Sequence, residues 1–356
     1  MADWTVRAML NIYKAPGGDA ASGGLFIGRA MADQLYRDVD LRYTARLPVL
    51  GVVVTFSSNV PDVINIVYDT YGPWLAIMDR TDLVTPSTAT IRIVLHDGPT
   101  PPDGPITFQY RVPDDGRLVV SAPGALGVVD IGRLDAVAYV TGEIVARRAD
   151  FVDGILETLT LTLLGALDRQ PVHAAGIVLG DLAVVLAGPS GVGKSTLAYA
   201  AQRRGDAVLS DEAIYVQMRP RLRVWGRRAR IQLPVDARRH FAELGDVAPV
   251  RLTSGKTKMV IEVPDGCYRR YADRTALCLL ARGDGVRPLL ERVPTEALAR
   301  TIGDTLEPGF DLYASTLRER VAQIAGRGGW RLWLRDAPED ALSALDEMVH
   351  QEGAHQ

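Results

Sequence analysis

The stretch Leu182-Ala-Val-Val-Leu-Ala187 runs directly into Gly188-Pro-Ser-Gly-Val-Gly-Lys-Ser-Thr196, and this junction decides the fold. A short apolar run bounded by turn residues has the length and content of a buried strand. Gly188, Gly191 and Gly193 allow the following backbone to curl until successive N–H groups face one centre. After Thr196, the run Leu-Ala-Tyr-Ala-Ala-Gln-Arg-Arg204 is made largely of helix formers, and Gly205 suits the left-handed position that closes a helix. Strand, glycine loop and helix stand in that order with the spacing G-x-x-x-x-G-K-[ST]. This is the pattern that cradles the phosphates of a nucleoside triphosphate. In it Gly188, Pro189, Ser190, Gly191, Val192, Gly193, Lys194, Ser195 and Thr196 wrap the phosphate chain. Lys194 adds a cation near the β- and γ-phosphates, Ser195 offers its hydroxyl to magnesium, and the helix presents its positive end to the same anion. The expected cofactors are therefore ATP or GTP with Mg2+.

Just outside this unit, Ala174–Val178 reads as a second short buried strand, separated from Leu182–Ala187 by a Gly180-Asp181 turn. Downstream, Ala207–Leu209 reads as another strand and ends at Ser210-Asp211-Glu212. Only one helix and one short strand separate this acidic pair from Lys194. Many phosphate-loop ATPases carry the acid that orders magnesium much further on, after a long apolar strand. If the 207–209 strand lies beside the loop strand, the pair sits near the γ-phosphate, where a carboxylate holds magnesium or takes the proton of an attacking hydroxyl. His173 stands at the start of the upstream strand; taken alone, a single histidine reads as a satisfied structural residue.

Together, His173, the 188–195 loop and Ser210-Asp211-Glu212 resemble the catalytic core of the HPr kinase/phosphorylase family, whose loop sits in a fold similar to that of ATP-dependent phosphoenolpyruvate carboxykinase. The resemblance is closest to HPr-kinase-related proteins of lasso-peptide biosynthetic clusters, through His173-Ala-Ala-Gly-Ile177, Gly188–Ala198 and Leu209-Ser-Asp-Glu212. It spans about 172–216, weakens through Arg230-Ile-Gln-Leu-Pro234 and Gly255-Lys-Thr-Lys258, and is faint over 286–302. It implies Asp211 as the general base toward a serine hydroxyl, His173 as its tuning partner, and Lys194 with the loop on the phosphates. Ser195, Glu212 and Asp211 are the implied magnesium ligands, with Arg230, Lys256 and Lys258 as further phosphate or substrate contacts. It also implies a peptide or small-protein substrate and a tendency to homo-oligomerise. Glu212 departs from the family, which usually has Asp there. The glycine-rich segment of bifunctional members, used for the phosphorolytic reverse reaction, is not found.

Further outward, 356 residues suffice for one large domain or two ordinary ones. The fold class expected is mixed α/β (α+β): a β-rich domain over 1–145 for substrate or partner binding, and a phosphate-loop domain over 146–356. In the first domain Val52–Phe56, Val63–Tyr68, Ile91–Leu95 and Ile106–Tyr110 read as strands, being rich in β-branched and aromatic residues. In the second, Phe151, Ile155, Leu159, Leu163 and Leu167 recur at helical spacing, with Pro171 to stop the helix. Further helices are expected at Thr295–Ile302, Leu317–Ala325 and Glu339–Val349.

Hydrophobic residues make up 47% and charged residues 23%, a soluble globular balance, and the formal net charge of −3 provides no field toward nucleic acid or membrane. No signal-like run opens the chain, and its apolar stretches are too short or too polar to span a bilayer, so a cytoplasmic location is expected. Cys267 and Cys278 read as two ordinary buried thiols, with a disulfide between them left open. Arg219, Arg221, Arg223, Arg227, Arg228 and Arg230 crowd one stretch, followed by Arg238 and Arg239. They form either a solvated hairpin or an edge that faces anions. Three functions fit these residues: a kinase acting on a peptide serine, a nucleotide-binding regulatory or assembly protein, and a small-molecule kinase.

Overall fold

The computed structural model describes residues 39–98, 101, 103–113, 116–227, 230–252, 255–283, 289–303, 313, 319, 322, 324, 329–335 and 337–354. The helix expected at 317–325 lies almost wholly outside them. The chain divides into two compact units, Met1–Leu163 and Leu164–Gln356, and the fold is α+β with several sheets.

The first unit holds β1 (Tyr43–Val49), β2 (Val52–Ser58), α1 (Pro61–Tyr71), β3 (Thr85–Leu95), β4 (Gln109–Arg111), β5 (Leu118–Ala122), β6 (Ala125–Asp130) and β7 (Asp135–Val140). They make one seven-stranded sheet in the order β1-β2-β3-β7-β6-β5-β4. Two strand expectations need correction. Val63–Tyr68 is helical, because Pro61 opens a helix and Val63, Ile64, Val67 and Tyr71 are buried at helical spacing while Asn65 and Tyr68 are exposed. β2 and β3 are parallel neighbours, so the chain between them needs a crossover, which α1 supplies. Of Ile106–Tyr110, only the end enters a strand, β4. The apolar stretch before 163 belongs to this unit: the Phe108 ring lies against Gly154, and Leu159 lies close to Gly127. Its last part is α2 (Glu157–Ala166). Pro171 does not stop this helix. Asp168, at φ 66°, turns the chain, and Pro171 sits in the strand that follows.

The second unit continues with β8 (Gln170–Val172), β9 (Ala175–Leu179), β10 (Leu182–Ala187), α3 (Lys194–Arg204), β11 (Ala207–Ser210), β12 (Ile214–Gln217), β13 (Arg223–Gly226), β14 (Arg230–Leu233), β15 (Val250–Arg251), β16 (Thr257–Glu262), β17 (Tyr271–Ala272), β18 (Thr275–Arg282), β19 (Leu289–Val293), α4 (Thr295–Gly303), β20 (Gly329–Leu334) and α5 (Pro338–Ala354). Its main sheet has the order β11-β9-β10-β18-β20-β19, with β10, β18 and β20 parallel. Alternation along β10 splits the core in two. Leu182, Val184 and Leu186 pack with Leu197 and Ala198 of α3 and Leu342 and Leu345 of α5. Ala183, Val185 and Ala187 pack with Val172, Ile214, Val216 and Val224 of a second sheet, β17-β13-β12-β8, and with Leu298 of α4. A three-stranded sheet, β14-β16-β15, adds Ile231, Leu233 and Met259 to the first of these clusters. Among the described residues no helix is long and apolar enough to cross a membrane.

Candidate functional site

The 188–196 segment leaves the C-terminal end of β10 and enters α3 at Lys194. All three of its glycines have positive φ, 148° at Gly188, 79° at Gly191 and 128° at Gly193. Two are also needed for closeness. A Cβ on Gly188 would stand 2.8 Å from the Leu280 carbonyl oxygen of β18, and one on Gly193 would meet Leu334 of β20 at 3.0 Å. The loop therefore lies directly on the ends of the neighbouring parallel strands, where open α/β sheets bind ligands. Pro189, Ser190 and Gly191 form its exposed tip, while Val192 is buried. Lys194 is 7% exposed and its Nζ donates to the carbonyl oxygens of Gly188 (2.7 Å) and Pro189 (3.2 Å), which holds the ammonium against its own loop. Gly205, at φ 96°, closes α3 with its N–H on the Ala201 and Gln202 carbonyls.

Asp211 is brought to this loop without direct pairing of β11 and β10. β11 is not the neighbour of β10; β9 lies between them, antiparallel to both. β11 consequently runs parallel to β10, and its end reaches the same edge of the sheet. There the chain leaves the main sheet for β12, just as it passes from β8 to β9 at His173. Ser210 stands opposite Gly176 and Ile214 opposite Val172. Between those pairs lie His173, Ala174 and Ala175 on one segment and Asp211, Glu212 and Ala213 on the other.

The Asp211 carboxylate is 2% exposed. Its Oδ2 accepts the Gln232 N–H at 2.7 Å, and Ser195 lies within hydrogen-bonding reach of the carboxylate. Its Oδ1 is buried and has no hydrogen-bond partner. Burial pushes the carboxyl up to about 6. The Gln232 N–H and Ser195 oppose the rise, the Glu212 charge adds to it, and Lys258 lowers it. Glu212 itself is exposed. Of the three outlying cations, Lys258 on β16 is the one whose charge is felt at Asp211. Arg230 and Gln232 alternate with the core residues Ile231 and Leu233 on β14, so both present the face of β14 away from that core. Lys256 lies at the exposed tip of the β15–β16 hairpin, where Gly255 turns at φ 79°.

The crowded arginines divide. Arg223 is neither solvated nor turned to an outside anion: it is 1% exposed, with Nε donating to Asp273 Oδ1 at 2.5 Å and Nη2 to Oδ2 at 3.1 Å. Arg221 is exposed beside the same aspartate at 3.6 Å, and Arg228 lies outside the described residues. Both cysteines are free; burial pushes the Cys278 thiol up to about 12, which keeps it protonated and unreactive. Two residues outside the motifs join the site: Gln232, which holds Asp211, and Arg282 at the end of β18, whose Nη2 lies 3.7 Å from where a Cβ on Gly193 would stand. The weak likeness over Arg230–Pro234 was the one signal for Gln232.

A metal-binding cluster of three or more His, Cys, Asp or Glu is absent among the described residues. An acid with one bare oxygen beside a serine hydroxyl and a buried lysine instead suits magnesium carried on phosphates, which takes only one or two protein carboxylates.

No protein-family model matches the chain, and no curated protein matches it either. Among solved structures it is similar to the Hpr(Ser) kinase/phosphatase from Coxiella burnetii, with 15% sequence identity, over 53% of this chain and 100% of that one, at a TM-score of 0.29.

Proposed function

We propose that the second unit is a nucleoside-triphosphate-dependent kinase that transfers the γ-phosphate, with ATP as donor, to the hydroxyl of a serine in a peptide or small protein. The observation that carries the reading is the Asp211 carboxylate: buried, bare at one oxygen, and set against Ser195 at the head of the helix that begins with Lys194. With its carboxyl raised to about 6, Asp211 is ionised at neutral pH and basic enough to take a hydroxyl proton as the bond to phosphorus forms. The acceptor oxygen bonds to the γ-phosphorus, the bond to the β–γ bridging oxygen breaks, and the nucleoside diphosphate leaves with that electron pair. Lys194 and the loop N–H groups hold the phosphates and face the charge that builds up on them. Bound magnesium supplies further neutralisation of that charge; Ser195 and Glu212 fit as its protein ligands. His173, between β8 and β9, is the tuning partner of Asp211 in this reading on the motif resemblance alone. The motif resemblance favours a peptide acceptor, and a lasso-type precursor is the first to try.

The test pairs labelled ATP and candidate peptides with the parent protein and the variant Asp211→Asn. The parent transfers label, and the variant loses about 10²- to 10⁴-fold in rate while keeping MgATP affinity. Equal transfer by the variant removes Asp211 as the base. Tight MgATP binding by the parent with no transfer to any acceptor favours a regulatory nucleotide-binding protein.

A further inference from the structure

The parallel edge of the main sheet carries more than the phosphate loop. β18 lies between β10 and β20 and ends in Arg282 at the same edge where β10 ends in the loop. The Arg282 Nη2 comes to 3.7 Å of the point where a side chain on Gly193 would begin, so the guanidinium sits beside the residue that precedes Lys194. Arg282 is exposed. The chain just beyond it is braced: Gly283 N–H donates to the Leu334 carbonyl at 3.4 Å, and the Arg335 guanidinium, just past the end of β20, lies close to Gly283. A Cβ on Gly283 would stand 2.0 Å from Arg335 Nη1 and would push that side chain aside.

An exposed arginine needs no explanation by itself, and neither does a helix N-terminus. Here the two meet at a loop whose other flank holds the buried, bare Asp211 oxygen. A carboxylate on one side and a guanidinium on the other match the parts of a magnesium-bearing phosphate chain: the acid suits the cation or a proton, the fork suits anionic oxygens. We propose that Arg282 is a cationic ligand of the nucleotide's phosphates, supplied by this chain itself from the strand next to the loop. This rests on the nucleotide site proposed above. It assigns phosphate binding to a residue that lies outside every segment in which the loop motif and its acidic pair are read. A kinase that carries such an arginine in its own sheet has no need of one from an activating partner to neutralise the transferred phosphoryl group.

The experiment is calorimetric titration of the full chain with MgATP and with inorganic tripolyphosphate, for the parent, Arg282→Ala, Arg282→Lys and Lys194→Ala. Arg282→Ala weakens both ligands by roughly tenfold to a hundredfold, the loss expected for charge-assisted hydrogen bonds. Arg282→Lys recovers part of it, since the charge returns without the fork. Thermal unfolding of the two Arg282 variants matches the parent, because the side chain is exposed. Arg282 is ruled out if its alanine variant binds both ligands like the parent while Lys194→Ala does not, an outcome that leaves the nucleotide site standing. A parent that binds neither ligand overturns the nucleotide site and Arg282 with it.

Discussion

Two places in the second unit bury charge, and they do so in opposite ways. Around Trp225 the buried charge of Arg223 is matched. Arg223 is forked onto Asp273, its guanidinium lies 5.3 Å from the Trp225 ring and 4.8 Å from that of Tyr271, and Arg169 lies 5.4 Å from the same indole. The indole N–H goes to Gln217 Oε1 at 3.0 Å, and Gln217 in turn donates to the Arg219 carbonyl at 2.7 Å. Burial and the neighbouring Arg223 bring Arg169 down to about 9, still a cation at neutral pH. At Asp211 the burial is left half matched, with one oxygen on the Gln232 N–H and the other bare. Stability alone favours the first arrangement, since an unanswered buried acceptor costs free energy. A buried carboxyl that is raised and incompletely satisfied is what the proposed general-base role of Asp211 calls for.

Removing a charge from each place therefore has opposite signs, which is how the contrast can be broken. Arg223→Ala has the largest expected effect: it leaves Asp273 without its fork and Trp225 without its cover, and lowers stability by about 3 kcal/mol. That figure sits at the low end for a buried pair because the Asp273 side chain is 37% exposed. Urea denaturation measures it, and a loss under about 1 kcal/mol would show that the tryptophan region does not depend on its ion pair.

Asp211→Asn goes the other way in the ligand-free protein. The folded state holds the Asp211 proton to about pH 6, whereas the unfolded chain releases it near 3.8. The folded state thus binds the proton more tightly, so the parent loses stability as pH rises from about 4 through 6 and is level above that. Asparagine does not titrate. The variant's stability relative to the parent should grow by about 2–3 kcal/mol between pH 4 and pH 7.5, read from urea curves at the two pH values. An unchanged difference would mean that the carboxyl is not raised and that the half-matched description of the site is wrong.

The smallest effect sharpens the comparison. Gly205→Ala forces a Cβ onto a left-handed backbone with open space around it. It should cost about 1 kcal/mol in thermal unfolding and leave MgATP affinity untouched, because the strain falls at the far end of α3 from Lys194. A drop in affinity would show that the loop depends on the whole helix.

Much of the second unit was legible because its signals are local. Gly180-Asp181 turns β9 into β10, and Lys194–Arg204 is bounded by Gly193 and Gly205. The first unit misled at Val63–Tyr68, where β-branched residues suggested a strand but Pro61 and the spacing of buried side chains made a helix. Tertiary context outweighs propensity there: β2 and β3 pair in parallel, and the chain must cross over. The arginine stretch was illegible for a related reason. Its alternation puts Arg223 and Trp225 on one face of β13, and only the fold reveals that this face is buried and that Asp273 waits there.

The sequence by itself determined the loop, its lysine and serine, and the helix behind them, because positive φ at closely spaced glycines and a helix start are set by residues a few positions apart. It also named Asp211, through its early arrival after the helix. The tertiary structure decided the rest. It inserted β9 between the loop strand and β11, hung Asp211 on the Gln232 N–H of a different sheet, left its second oxygen bare, and set Arg282 beside Gly193. Those relations join residues far apart in the chain, and strand order, which no local pattern encodes, is what brings their ends to one edge.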